Sequence, residues 1–505
     1  MLGRMRLAAA VIVGLVAFSA GWLAMLPGLG FWDTAELQTV GPLMGTAHPT
    51  GYPTYVLIGW GASVILQAFG EPAFRMNLLS AICLAVAAGV TVDLVRRLTG
   101  WLVLGVAAGI AMALTPIAWA IGTHAEAHSL HLAFVAILMW LLVAWEADGQ
   151  EARDDRLLVA AAVVFGLAVG NHSLTLLLAV PVALYVLAVE PRILQRRRLV
   201  IRCVGSFAVT LAIVYLELAL RAGPFRAALV YGAPNTLEGF VYVVFGTQFA
   251  GSVVSPIADL PLTFGELAGR AVAQFGVVAP AIPIAFVVTA IRRPRYALLT
   301  GTAAAFTVVF AASYENADIL RYYLGPALMA WTWVAILAGT VVDAIAGVAG
   351  YPTGSRSERR LSHLIAIVVA LALLAPTALA IPARYGAVDE SQKRAATIWA
   401  DRALQIMGPD ALVVSWWGYS TPLWYHQRVL GERPDIAIVD DRTRLDENLG
   451  SVTDVIDANL GDRPVYVIRQ KSYEAASLAM RYELDYLGGT DARSLTLVVG
   501  PKVGS

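Results

Sequence analysis

Residues 364–381 read LIAIVVALALLAPTALAI, an apolar run of 18 residues without a charged side chain. As an α-helix this run extends roughly 27 Å, close to the roughly 30 Å thickness of the hydrocarbon core of a bilayer. Directly after it, at Pro382, the sequence becomes mixed and charged, and all three lysines of the chain lie beyond that point. The stretch therefore predicts a membrane-spanning helix followed by a soluble tail.

The whole chain has the composition of a membrane protein. Apolar residues make up 58% of the 505 positions and charged residues only 14%, against roughly 45–50% and 25% in soluble domains. We predict an α-helical polytopic membrane protein of about eleven transmembrane helices, with the N-terminus inside and the C-terminus outside. The predicted spans lie near 7–28, 78–95, 102–121, 130–145, 157–170, 173–189, 203–220, 268–291, 296–313, 322–346 and 362–382.

The arginines set this orientation. With eleven spans, the inside connections between spans hold 17 arginines and the outside connections hold four, as the positive-inside rule requires. Counting residues 51–69 as a further span would invert everything after it, so we predict that this stretch lies in the outer interface. The inside set is Arg4, Arg6, Arg96, Arg97, Arg153, Arg156, Arg192, Arg196, Arg197, Arg198, Arg202, Arg292, Arg293, Arg295, Arg356, Arg359 and Arg360; the outside set is Arg75, Arg221, Arg226 and Arg321.

The same topology gives a domain organisation. Residues 1–382 form a transmembrane domain, whose first helix we expect to be a retained signal-anchor, with long external loops at about 29–77 and 221–267. Residues 383–505 form an external soluble α/β domain, because strand-like runs alternate there with helical patterns. The strand-like runs are 411–415, 436–440, 464–468 and 495–499.

Ionisable residues gather in the first external loop. Asp33 and Glu36 are three residues apart, which places both carboxylates on one face of a helix. They are candidate catalytic acids, and the alternative is a helix N-cap with a capping box. His48 opens a turn that contains two prolines and a glycine; it is either aimed by that turn into a site or is an interfacial residue.

Further candidates follow other predicted spans. His124 and His128 are four residues apart around Glu126, a spacing that lets two imidazoles share a ligand, although no third metal ligand is evident, so a divalent ion stays an open alternative. Asn171 and His172 end the fifth span. Glu315 and Asp318 precede the tenth, where an Asp318 cap explains part of the run. Six of the seven histidines lie outside or at the outer edge, namely His48, His124, His128, His131, His172 and His426.

These motifs resemble the GT-C superfamily of lipid-carrier-dependent glycosyltransferases. Within it they look most like bacterial relatives of the transmembrane protein O-mannosyltransferases that act on plexin-type receptors in animals. Related sequences usually carry proline where Thr50 and Gly325 stand here. The matching stretches, in family order, are 33–36, 48–53, 75–80, the Glu126 loop, 170–172, 318–325, 415–425 and 431–435.

The resemblance implies an enzyme that passes a sugar, with mannose as the suggested candidate, from a polyprenyl-phosphate donor to an acceptor on the outer face, inverting the anomeric centre. We assign Asp33 as general base with Glu36 as its partner, and Arg321, Tyr322 and His48 to the donor phosphate. For Arg321 the alternatives are a salt bridge to Asp318 or Glu315 and an interfacial anchor. The sugar or acceptor pocket would take His124, Glu126, His128, Asn171 and His172, roofed by Trp416, Trp417 and Tyr419, for which burial inside the tail is the alternative.

Partners and location follow from this assignment. We expect a multi-pass protein of the inner (cytoplasmic) membrane, a protein, glycan or lipid acceptor, and no nucleic acid, because Lys+Arg and Asp+Glu are both 36. The rival function is a transporter or flippase of lipid-linked sugars. That function predicts internal repeats and charges at mid-membrane depth, whereas no repeat is evident and the charges lie at the outer helix ends. A non-catalytic scaffold would leave the acidic loops unexplained.

Overall fold

The structure is a computed structural model that describes residues 2–147, 154–252, 260–316, 318–348, 356–487 and 494–502. Arg153 of the inside set lies outside the described residues, as does part of the second predicted external loop. The helices are α1 Leu2–Leu23, α2 Trp32–Leu43, α3 Pro53–Ile65, α4 Pro72–Thr99, α5 Leu102–Ala113, α6 Pro116–Ala120, α7 Ala127–Ala147, α8 Asp155–Asn171, α9 Ala179–Val189, α10 Arg197–Ala222, α11 Leu237–Phe245, α12 Leu260–Phe275, α13 Ala281–Arg292, α14 Pro294–Ala312, α15 Leu324–Val348, α16 Arg356–Val388, α17 Ala395–Ile406, α18 Trp417–Trp424, α19 Asp441–Asp446, α20 Val452–Asp457 and α21 Ser472–Arg481.

Two compact units divide the chain. The first, here called the helical unit, comprises Met1–Met25, Leu78–Leu216 and Gln248–Ser391. The second, here called the loop–tail unit, comprises Leu26–Asn77, Glu217–Thr247 and Gln392–Ser505. Most of the first external loop and part of the second thus belong to the same unit as the tail. The domain boundary predicted at 382/383 stays a prediction.

A multi-pass membrane protein is confirmed, whereas the number of spans is not. Among the described residues, seven helices are long and apolar enough to cross a membrane, or eight if a pair bent by 81°, Leu262–Val278 with Ala281–Arg292, is one span. The predicted spans at 102–121, 157–170 and 173–189 correspond to the shorter helices α5, α8 and α9. The seven are Gly3–Leu23, Pro72–Thr99, Ala127–Glu146, Arg197–Ala222, Pro294–Ala312, Ile319–Val348 and Arg359–Val388.

Small residues allow close helix packing in the helical unit. A Cβ atom on Gly105 would lie 2.3 Å from the carbonyl oxygen of Val92, and one on Gly109 would lie 2.9 Å from that of Ala88. The Gly105 and Gly109 face of α5 therefore rests directly on the backbone of α4. This is the close approach that a glycine pair at a spacing of four permits between membrane helices.

The loop–tail unit contains a five-stranded sheet of order β2-β1-β3-β5-β4. Strands β1 Leu412–Ser415, β2 Ala437–Asp440 and β3 Val465–Ile468 are parallel, and β5 Thr496–Pro501 pairs antiparallel with β3 and with β4 Tyr482–Tyr486. Successive side chains of β1 enter two apolar clusters, since Val413 packs in one and Leu412 and Val414 in the other. A strand buried on both faces reads as a continuous apolar run. The four predicted runs accordingly coincide with β1, β2, β3 and β5, and β4 was missed.

Candidate functional site

Asp33 lies in the first turn of α2. The helix N-cap is Phe31, without a side-chain capping bond, so the capping alternative for Asp33 and Glu36 is wrong. Asp33 is half-buried, and the partial positive charge of a helix N-terminus favours a carboxylate there. The preceding residue, Trp32, has a left-handed backbone with φ 60. Such a conformation is uncommon for a bulky residue and marks a segment held by its surroundings.

Glu36 holds the His48 turn. Its side chain is fully buried, and Oε1 accepts a hydrogen bond of 3.0 Å from the backbone N–H of His48. Its other oxygen pairs with Nδ1 of the same histidine. The hydroxyl of Tyr52 lies 3.1 Å from Nε2 of His48. One carboxylate therefore orients both the backbone and the ring of His48, which makes Glu36 a positioning residue in this arrangement.

Aromatic side chains of the tail pack against this part of the first loop. The ring of Trp416 meets Trp32 edge-on at 4.6 Å, and Trp417 meets His48 edge-on at 5.7 Å. The Tyr419 ring lies 5.3 Å from that of Phe31. All three predicted tail aromatics thus contact residues of the first loop, and none of them is fully buried inside the tail.

An amide pair that sequence analysis missed anchors α2. Gln38 is fully buried and accepts a hydrogen bond of 2.9 Å from the N–H of Gly30. Its amide donates 2.8 Å to Oδ1 of Asn77, whose own amide donates 2.8 Å to the carbonyl of Leu26. These bonds fix residues 26–30 against α2, just before the first turn that carries Asp33. The signal available in the sequence was Gln38 itself, an amide residue two positions after Glu36.

In the helical unit, Glu126 is the centre of a buried ionic cluster. Its Oε1 accepts a bond of 3.1 Å from the N–H of His128 and lies 2.8 Å from Nδ1 of that ring. Its Oε2 lies 2.6 Å from Nη1 of Arg321. The other terminal nitrogen of Arg321 lies 2.9 Å from Oδ2 of Asp318, so the predicted Asp318 salt bridge is confirmed. Ser80 Oγ accepts a bond of 3.1 Å from the Glu126 N–H.

Two further predicted residues complete what we call the Glu126 cluster, defined as Glu126, His128, His172, Arg321 and Tyr322. The ring centroids of His128 and His172 are 4.6 Å apart, and Tyr322 lies 5.4 Å and 5.7 Å from them. Nε2 of His128 is buried and has no hydrogen-bond partner within the described ranges. A buried ring nitrogen without a partner is costly in a purely structural site.

Asn171 and His124 flank this cluster. Asn171 donates 3.0 Å to the carbonyl of Ala127, which joins the end of α8 to the start of α7. Nδ1 of His124 lies 3.1 Å from Oγ1 of Thr123. Burial lowers the pKa of the His124 ring, a shift that the Glu126 charge opposes and the Arg321 charge reinforces. His124 is therefore neutral at pH 7 and adds no positive charge beside Arg321.

The Glu126 carboxyl is ionised. Burial by itself would raise its pKa, but the Arg321 guanidinium and the hydrogen bond from His128 outweigh burial and hold the pKa well below its usual range. A buried carboxylate with this pairing keeps its charge at any physiological pH. The Glu126 carboxylate can thus orient Arg321 toward a ligand without itself exchanging protons.

The predicted pair His124 and His128 does not form a three-ligand metal site in the part of the chain that the structure describes. The group of three with donor atoms within 4.8 Å of one another is instead Asp401, His426 and Glu432, in the tail. Nδ1 of His426 lies 2.7 Å from Glu432 and 3.7 Å from Asp401. The first distance is that of a hydrogen bond. Metal dependence stays untested.

The second external loop and the tail meet at a second set that sequence analysis missed. The Arg442 guanidinium lies 4.3 Å from the ring centroid of Tyr242 and 5.7 Å from that of Tyr231. Asp440, fully buried at the end of β2, accepts a bond of 2.7 Å from the N–H of Thr443. Burial raises the pKa of Asp440 to about 6. An acid at the carboxyl end of a parallel strand was the available signal.

The chain is similar in sequence to a known protein family. Residues 33–195 match the family model described as the N-terminal domain of protein O-mannosyl-transferase TMEM260. The mouse (Mus musculus) protein O-mannosyl-transferase TMEM260 is 26% identical over 459 residues, which are 87% of this chain and 63% of the mouse protein. The chain therefore spans less than two thirds of the length of that relative.

Two solved structures resemble this chain over nearly its whole length. ArnT from Cupriavidus metallidurans bound to undecaprenyl phosphate superposes with a TM-score of 0.59 at 16% identity, covering 100% of this chain and 98% of that one. The oligosaccharyltransferase of Archaeoglobus fulgidus tethered to an acceptor peptide gives 0.56 at 14% identity, covering 98% and 74%. The chain therefore shares the fold of these two proteins.

The resemblance predicted from the sequence is therefore confirmed, because the matching family model and the mouse relative are both described as protein O-mannosyl-transferase TMEM260. The region matched by the family model begins at Asp33 and contains Glu36, His48, Glu126 and His172. Arg321 and the tail aromatics lie beyond it.

Proposed function

We propose that the chain is a membrane glycosyltransferase that passes a sugar, with mannose as first candidate, from a polyprenyl-phosphate donor to an acceptor hydroxyl, with inversion. The acceptor oxygen forms a bond to the anomeric carbon while the bond from that carbon to the phosphate oxygen breaks. The acceptor proton goes to a carboxylate, and polyprenyl phosphate leaves. Similar proteins support this choice of reaction, donor and acceptor, since one is named for O-mannosyl transfer, one binds undecaprenyl phosphate and one is tethered to an acceptor peptide.

The observation that carries the proposal is the contrast between the two acids of α2. Glu36 is fully buried and both its oxygens are engaged by His48, whereas Asp33 is half-buried in the first turn of the same helix. A general base has to reach the proton that it removes. Asp33 therefore takes the role of base, and Glu36 orients His48, which we assign, together with the Tyr52 hydroxyl beside its ring, to the donor phosphate. Trp416, Trp417 and Tyr419 supply ring faces that suit a sugar.

Arg321 is assigned to the donor phosphate. Its pair with Glu126 is buried, but its pair with Asp318 joins a carboxylate that is 55% exposed. An exposed ion pair contributes little free energy, so a phosphate oxygen can replace Asp318 at the second terminal nitrogen while Glu126 keeps the guanidinium oriented. Tyr322 completes the phosphate contacts. His124, His128, Asn171 and His172 are assigned to the sugar or acceptor pocket.

The finer topology belongs to the same proposal. The chain crosses the inner (cytoplasmic) membrane about eleven times, and the first loop, the Glu126 loop and the α/β tail lie on the outer face. The arginine distribution supports this orientation. Acceptors are proteins, glycans or lipids presented on that face, and a divalent ion is tested as an additive.

The test is a donor panel. Purified protein in lipid nanodiscs is incubated with polyprenyl-phosphate mannose, glucose and arabinose plus candidate acceptor peptides, and released polyprenyl phosphate is measured by mass spectrometry, with and without chelator. We expect release from at least one donor, loss of release with Asp33→Asn, and an inverted anomer by NMR. Folded wild-type protein that releases lipid from no donor, yet moves labelled donor between leaflets, would favour the flippase.

A further inference from the structure

A second polar cavity lies in the helical unit, away from every residue assigned above. It has a volume of about 450 Å³ and is found where α4 and α7 end and α13 passes into α14. Arginine dominates its lining, with Arg97, Arg292, Arg293 and Arg295 against a single carboxylate, Glu146. Two of these guanidinium groups already pair with carboxylates, Arg97 with Asp93 at 2.8 Å and Arg295 with Glu146 at 3.2 Å, so the positive charge left for an anion is that of Arg292 and Arg293.

The charges within this basic pocket are incompletely paired. Glu146 is shared, because one oxygen lies 3.2 Å from Nη1 of Arg295 and the other accepts a bond of 2.7 Å from Tyr185. Nε of Arg293 donates 3.0 Å to the carbonyl of Leu98, at the end of α4. This nitrogen of Arg293 therefore caps the end of α4 and is not available to a ligand. Arg292 and the two terminal nitrogens of Arg293 have no protein partner among the residues described.

The position of the pocket indicates which kind of anion it can bind. Its walls are the ends of helices that are long and apolar enough to cross a membrane, Pro72–Thr99, Ala127–Glu146 and Pro294–Ala312. Ile291 and Leu298, which flank the arginines in sequence, are 74% and 36% exposed. Exposed aliphatic side chains beside guanidinium groups fit a ligand with acyl chains and an anionic head better than a free solute.

We propose that this basic pocket binds the phosphodiester headgroup of an anionic phospholipid. A guanidinium fork engages two phosphate oxygens at once, so Arg292 and Arg293 hold the phosphate. The arginines concerned all belong to the inside set, which places the lipid in the cytoplasmic leaflet. The proposal is independent of glycosyl transfer.

The experiment compares lipid retention. Wild-type protein and Arg292→Gln/Arg293→Gln are reconstituted in mixed phosphatidylcholine and phosphatidylglycerol vesicles, and phosphatidylglycerol that remains bound is counted by native mass spectrometry. Arg359→Gln/Arg360→Gln is the matched control, because these inside arginines are exposed and do not line the pocket. One arginine near an anionic surface is typically worth roughly fivefold in affinity. We expect the pocket variant to lose roughly tenfold or more in retention, and the control to lose little.

Thermal unfolding in phosphatidylcholine alone verifies that each variant is folded. If the double variant does not fold, the single variant Arg292→Gln replaces it, and we expect it to show an intermediate loss of retention. Equal retention by the pocket variant and the wild type would overturn the proposal, and so would an equal loss in the control, which would indicate general surface charge. A third arm adds glycerol 1-phosphate to wild-type protein in phosphatidylcholine discs. Stabilisation as large as that by phosphatidylglycerol would show a site for a free phosphate ester and overturn the lipid assignment.

Discussion

Arg321 and Glu126 form a buried ion pair, with Nη1 of the arginine 2.6 Å from Oε2 of the glutamate. The two residues lie almost 200 positions apart in sequence, one before α15 and the other before α7. Removing one member of such a pair leaves an uncompensated buried charge, which is strongly destabilising. Arg321→Ala therefore tests stability and function together, and a substitution that keeps the charge is the sharper probe.

Arg321→Lys should weaken use of the polyprenyl-phosphate donor. Lysine keeps the positive charge beside Glu126 but lacks the planar fork that engages Glu126 and a phosphate oxygen together. We expect the apparent KM for donor to rise by about tenfold, with a smaller change in kcat. Donor titrations of purified protein measure both.

The matched control is Arg226→Lys, an exposed arginine whose guanidinium donates only to the Ala222 carbonyl in the contacts described. It should behave as the wild type. If Arg321→Lys also matches the wild type in donor titrations, the phosphate assignment passes to His48 and Tyr322.

Asp33→Asn should abolish transfer while leaving donor binding nearly intact. The amide keeps the shape of the side chain but cannot accept a proton, and loss of a general base typically costs on the order of a hundredfold or more in rate. The control is Glu238→Gln, an exposed acid in the first turn of α11. Single-turnover rates at saturating donor provide the measurement. Near-normal turnover of Asp33→Asn would remove Asp33 from the mechanism.

Topology is tested by labelling single cysteines in a background without Cys83 and Cys203. Positions 245 and 450 should react with a membrane-impermeant maleimide added to intact cells, and position 357 only after permeabilisation, because of the arginine bias. All three native side chains are exposed in the structure. Labelling of 450 from the cytoplasmic side would mean that residues 51–69 cross the membrane and invert the later helices.

Asp440 should make the stability of the loop–tail unit depend on pH. Its folded-state pKa of about 6 is above the ordinary 3.8, so the folded protein holds more protons than the unfolded chain between those values. The free energy of unfolding therefore falls as pH rises through about 4 to 6, by up to about 3 kcal/mol. Asp440→Asn stays neutral and should remove that part of the decline in Tm from pH 4.5 to 7.

Asp435→Asn is the control for this experiment. The hydrogen bond from Arg433 lowers the pKa of Asp435 to about 2, so its carboxylate is ionised throughout the same range. Its loss can shift Tm but should leave the pH dependence unchanged. Identical pH profiles for the wild type and Asp440→Asn would contradict the assignment.

Local sequence was sufficient for the membrane character, the strands and the candidate residues. Apolar runs such as 364–381 and the buried strands β1 and β3 are signalled by their own composition, because burial in lipid or between two layers demands it. The acids, histidines and the GT-C resemblance were also readable in short motifs. The number of spans was not, since α5 and α9 are shorter than the apolar runs 102–121 and 173–189.

Tertiary structure decided which of the candidate residues are paired. Asp33 and Glu36 are both acids on the same helix face in sequence, yet Glu36 is fully buried against His48, whereas Asp33 is half-buried. Arg321 had Asp318 and Glu315 as local partners, but its buried partner is Glu126. Such pairings depend on where distant helices end in space, and no local propensity encodes that. Desolvation then determines which pairs persist, because a buried charge has to find its opposite wherever the fold brings one.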